Sequence, residues 1–149
     1  MTDMWNELLD KQIQEMNDAG AILRHSYDKC FRIGVRPDLN IDQLESFEAL
    51  TARFARLSDL MVQKVLRTIS VLDLEDIGTV RDRINRAEKK GFIESAEDFV
   101  QIRMLRNEIA HEYKSETIFD IFERALALTP ALLDALKRIQ QHAIQNRST

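Results

Sequence analysis

At 149 residues, with 44% apolar and 31% charged residues, the chain has the size and composition of one globular domain, 1–149, with a substantial core. A net charge of −4 counts against a protein that coats nucleic acid by electrostatics, and 4 Gly with 2 Pro argue against a loop-rich β architecture. No apolar run is long enough for a bilayer, no secretion signal opens the chain, and the single Cys30 cannot pair within it, which together predict a cytoplasmic protein away from membranes.

Apolar residues recur with helical period in every long segment. The first set starts at Leu8 or Leu9 and continues through Ile13, Met16, Ala19, Leu23, Tyr27 and Phe31, an amphipathic helix of about seven turns. Gly34 and Pro37 break it. Asn40 with Gln43 three residues on has the form of a capping box for a second helix. The stripe of that helix is Leu44, Phe47, Leu50, Phe54, Leu57, Met61, Val65, Ile69 and Leu72, long enough to predict long partners or a second subunit.

Asp73 to Gly78 is the next break. Thr79 with Asp82 caps a short third helix, and Gly91 ends it after Lys89 and Lys90, cations at the negative end of the helix dipole. Ser95 with Asp98 repeats the capping pattern for a fourth helix, whose buried stripe is Phe99, Ile102, Leu105 and Ile109. Thr117 with Asp120 opens the last segment, in which Pro130 predicts a kink or a brief break near Leu128. No stretch alternates with period two for long enough to form a strand. The expected fold is all-α, an antiparallel up-and-down bundle of four to five helices.

The end of the fourth helix concentrates the chemistry: Arg106-Asn107-Glu108-Ile109-Ala110-His111-Glu112-Tyr113. Arginine is a permanent cation that grips phosphate oxygens in a fork, and histidine moves protons near neutral pH. Those groups suffice to cut RNA without a metal. Continued as a helix, Arg103, Asn107 and His111 form one ridge and Arg106, Ala110 and Tyr113 another, with Arg106 and His111 about 140° apart. Each residue also has a plainer role: Arg106 in an ion pair with Glu108 or another carboxylate, Asn107 in a local bridge, His111 as a cation at a helix C-terminus, Tyr113 as a half-buried aromatic. Arg103 is either a second phosphate contact or a solvated charge, and Arg53, Arg56 and Asp59 are further candidates for the cleft wall.

Residues 79–106 carry Arg81, Arg83, Arg86, Lys89, Lys90, Arg103 and Arg106 against Asp82, Glu88, Glu94, Glu97 and Asp98, a local balance of seven minus five, or +2. A basic site in an acidic body suits a small footprint on RNA or one acidic partner. His25, His111 and His142 lie far apart in sequence and give no metal-ligand spacing. No cofactor motif is present: the chain has neither a P-loop nor a Gly-x-Gly-x-x-Gly.

The pattern Arg106-x4-His111-x-Tyr113, with Asn107 after the arginine, resembles the motif of HEPN domains, and more narrowly that of HepT-type toxins and the substrate-binding partners of minimal nucleotidyltransferases. Residues 47–59 are similar to the long second helix of that group, and residues 86–93 to the turn before its motif helix. The resemblance covers roughly residues 40 to 115. It implies a homodimer that brings two motif helices to one cleft, and a ribonuclease site of Arg106, Asn107 and His111 that needs no cofactor or metal. It further implies an RNA substrate and a cognate nucleotidyltransferase antitoxin that adenylylates Tyr113. The alternative it leaves is a non-catalytic substrate-binding partner of such a nucleotidyltransferase. The chain itself lacks the Gly-Ser turn and paired aspartates of the transferase.

Overall fold

A computed structural model describes residues 2–111 and 117–148, and every regular element in them is helical. In chain order these are α1 (Thr2–Ile33), α2 (Ile41–Asp59), a π-helical segment (Leu60–Val65), α3 (Leu66–Leu72), α4 (Val80–Lys89), α5 (Ala96–Ala110) and α6 (Ile118–Ser148). α2, the π segment and α3 follow one another without a gap and make a single rod.

The caps expected at Asn40, Thr79 and Ser95 form. Asn40 Oδ1 accepts from the Gln43 N–H at 2.8 Å and the Gln43 side chain accepts from the Asn40 N–H at 3.0 Å, closing the capping box of α2. Thr79 and Asp82 exchange the equivalent bonds at α4. That helix ends at Gly91, φ 80°, where the Phe92 N–H reaches Ala87 O and the Gly91 N–H reaches Glu88 O. This is a Schellman ending, and the positive φ is why glycine stands there. At α5, Ser95 Oγ accepts from the Asp98 N–H, and the first amide of the helix, Ala96, donates to Glu88 Oε2 at 2.6 Å. α4 therefore holds the start of the helix that carries the motif.

α1 packs along α2 and α6, and α2 also meets α5 and α6. The core runs between them: Phe47 stacks on Phe122 with centroids 4.9 Å apart, and Phe54, Leu57, Met61, Val65, Phe99, Ile102 and Leu105 are fully buried. A Cβ on Gly20 would run into the Leu136 side chain, so α1 and α6 approach closely there.

The stripe of the second helix finds the long partners it calls for within one chain, in α1 and α6, and is buried from Phe47 to Ile69, so its length gives no reason for a second subunit. Three expectations change. Phe31 belongs to the surface rather than the core, at 67% exposure, because the buried face of α1 continues from Leu23 through Ser26 and Cys30 instead of Tyr27 and Phe31. α6 passes through Pro130 without a break. The Thr129 hydroxyl donates to Ala125 O at 2.6 Å just before it, a local side-chain bond that accompanies the lost backbone donor. The second helix is not uniform: its middle turn is a π-helix, closed by the Leu66 N–H to Met61 O. The buried Arg83 Nε donates to the Val62 carbonyl of that turn at 3.3 Å, while its Nη1 reaches Gly78 O at 3.1 Å.

Candidate functional site

The motif arginine is held from the neighbouring rod. Arg106 Nε donates to Asp59 Oδ1 at 2.7 Å and Nη2 to Oδ2 at 2.9 Å, a two-point fork on the last residue before the π turn. Arg103, one turn earlier on α5, donates through Nη1 to the same Oδ1 at 2.8 Å and to the buried Ser58 Oγ at 2.9 Å. Two guanidinium groups therefore share one carboxylate, and the cluster carries a net charge of +1. Burial pushes the Asp59 carboxyl up, but hydrogen bonds from Arg106 and Arg103, with their charges, outweigh it and hold the group below the usual carboxylate range. The same bonds raise the pKa of Arg106.

Arg103 is accordingly neither a solvated charge nor a group open to phosphate. It is buried, and it locks α5 to the rod. Arg106 retains an open edge: Nη1 points away from Asp59 and lies 3.5 Å from Asn107 Oδ1, and Asn107 itself is exposed. Glu108 does not pair with Arg106. It takes Arg124 of α6 at 2.5 Å and pins the end of the motif helix.

His111 closes the motif helix. α5 ends at Ala110, and His111 is its C-cap, with φ −87° and ψ 150°, so it turns into extended backbone. Its N–H still reaches the Asn107 and Glu108 carbonyls, at 3.3 Å each, which keeps its Cα and the base of its exposed side chain at the helix end, since ψ does not move the residue's own side chain. Of the ridge of Arg103, Asn107 and His111, Arg103 is drawn to Asp59 and buried, while Asn107 and His111 are exposed. Tyr113 lies outside the described residues.

The structure brings Arg106 and Asn107 together, sets His111 one turn beyond them, and adds Asp59 and Ser58 from the rod. Of the other residues considered for the cleft wall, Arg53 turns to α1, where Nη1 donates to Ser26 Oγ at 2.7 Å, and Arg56 is exposed. Ser58 was not singled out in the sequence. Its signal is a polar pair, Ser58-Asp59, set in mid-helix between Leu57 and Leu60, where both residue types are poor helix formers. Among the described residues no three His, Cys, Asp or Glu side chains come together as metal ligands, and no helix is long and apolar enough to cross a membrane. No protein-family profile matches the chain, and comparison with curated proteins returns no match.

Proposed function

We propose that this protein is a metal-independent endoribonuclease of the HEPN toxin kind, neutralised by a cognate nucleotidyltransferase, with Arg106, Asn107 and His111 as its reacting groups. The observation that carries this reading is the fork of Asp59 on Arg106. It fixes the guanidinium on one edge and leaves the other facing Asn107 and solvent. A charge held in place in this way stabilises a developing oxyanion without reorganising during the reaction, an effect often worth about 3 kcal/mol.

On this reading His111 takes the proton of a ribose 2′-hydroxyl as the 2′-oxygen attacks phosphorus. The bond to the 5′-oxygen breaks, and the leaving oxygen takes a proton. The His111 of a second copy is placed to give that proton if two motif helices share a cleft. Arg106 steadies the phosphorane oxygens, and Asn107 orients the phosphate. General acid–base catalysis contributes roughly 10²–10⁴-fold, so His111→Ala should reduce cleavage by that order. The assay is RNA cleavage in EDTA by purified protein, wild type beside His111→Ala. Normal cleavage by the variant refutes the assignment.

One observation favours a second reading, a substrate-binding partner of a nucleotidyltransferase. Both arginines of the site are already engaged by Asp59, so the surface offers RNA a single net charge. Absence of cleavage by folded wild type would select that reading. On the toxin reading Tyr113 is the proposed site of adenylylation, where AMP would add bulk and negative charge. Mixing with the cognate transferase and ATP should raise the intact mass by one AMP in wild type and leave Tyr113→Phe unchanged.

A further inference from the structure

A cavity of about 390 Å³ opens between α1 and the rod, away from the motif helix. Trp5 and Leu8 of α1 with Val71 and Ile77 give it an apolar floor, and Lys11, Lys64 and Arg67 stand at its walls against one carboxylate, Glu15. Three cations and one anion leave the lining at +2. Lys64 meets Glu15 only at 3.9 Å, and neither Lys11 nor Arg67 has a carboxylate partner among the described residues.

Two further features mark the cavity as a built site. Lys64 belongs to the π-helical turn, an irregularity concentrated at functional sites because it displaces side chains from the regular helical path. The Ile77 wall is fixed from behind, where Arg83 and Arg86 both donate to its carbonyl. Arg83 is buried, without a carboxylate among its hydrogen-bond partners, and after burial itself the charge of Arg67 is the largest influence lowering its pKa. Positive charge is thus gathered on this side of the rod, and an anion at Arg67 would relieve it. The volume suits a small molecule, and mixed apolar and charged walls suit one that is apolar at one end and anionic at the other.

We propose that this cavity binds a small aromatic anion, a phosphate or carboxylate carried on a flat apolar body, with Arg67 and Lys11 taking the charge and Trp5 the ring. The site is separate from the ribonuclease reading and stands or falls without it. Trp5 is the only tryptophan in the chain, so its fluorescence reports on this cavity alone. Phenyl phosphate should change that fluorescence saturably. Inorganic phosphate and phenol, the two halves of the probe, should each bind at least about tenfold more weakly, since each forfeits one class of contact. Arg67→Ala and Lys11→Ala remove exposed side chains that make no hydrogen bond or ion pair among the described residues, so both should fold, and each should weaken phenyl phosphate about tenfold. Lys137→Ala, which lines a different cavity on α6, should bind as wild type. A response that is not saturable, or is unchanged in Arg67→Ala, overturns the proposal. So does a response that follows protein concentration instead of phenyl phosphate, which would assign the cavity to a second copy of the chain.

Discussion

Asp59 is the residue on which the candidate site depends, because its one carboxylate balances two guanidinium groups of different burial. Replacing it with Asn preserves shape and removes the charge, which leaves the buried Arg103 with neutral acceptors alone, Ser58 and an amide oxygen that Arg106 also reaches. The expected loss is about 1–3 kcal/mol, less than for a fully buried pair because solvent reaches part of the cluster. Acid should erase the difference. The folded carboxyl titrates below its unfolded value, so its contribution is complete above the unfolded pKa of roughly 4 and disappears as pH falls through the folded one. Urea denaturation of wild type and Asp59→Asn should therefore show a gap at pH 7 that narrows below about pH 4. A gap independent of pH would mean that Asp59 acts through packing alone. The sequence offered Asp59 only as one of three polar residues on the second helix. Which of Arg53, Arg56 and Asp59 faces the motif depends on helix rotation, and that is set by long-range packing.

Helix ends show where local chemistry suffices and where it does not. The breaks at Gly34 and Gly91, and the capping residues Asn40, Thr79 and Ser95, are readable because each satisfies orphan backbone groups within a few residues. The end of α3 uses the same Schellman bonds as Gly91, Leu74 N–H to Val71 O and Glu75 N–H to Ser70 O, but with a leucine in the left-handed position, φ 59°. Nothing in the sequence marks it beyond the general break from Asp73 to Gly78. A branched side chain there costs roughly 1–2 kcal/mol, glycine's extra unfolded freedom returns roughly 0.5–1, and Leu74 is 95% exposed, with little contact to lose. Leu74→Gly should stabilise the fold by about 0.5–1 kcal/mol, measured as a higher melting temperature or urea midpoint. Destabilisation would show that the leucine makes a contact worth more than its strain. The π turn left a fainter trace. Leu57, Met61, Val65 and Ile69 repeat at four residues three times running, which would drift about 120° round a regular α-helix, and the wider turn absorbs the drift.

At the scale of the whole molecule the open question for the ribonuclease reading is how two copies meet. The long stripe of the second helix is buried within the chain, so the contact must lie elsewhere. The motif helix offers one large apolar residue on its outer side: Met104, 51% exposed, which shares a helical face with Asn107 and Glu108 at i+3 and i+4. A two-fold pairing of α5 with its copy about an axis running along the helices would cover Met104 and bring both His111 rings to one groove, which is the arrangement the two-proton mechanism needs. In such a pairing a residue near the axis faces itself, so Met104→Lys would set like charges together. The variant should keep wild-type helicity, since lysine is as good a helix former as methionine. Its dimer should weaken by about tenfold or more in sedimentation, and cleavage should fall in step with the dimer fraction at each protein concentration. Equal weakening without loss of cleavage would mean that each copy cuts alone, and the second histidine would then have no part in the reaction. Unchanged association would exclude this face as the interface and leave the groove between the two His111 rings unformed.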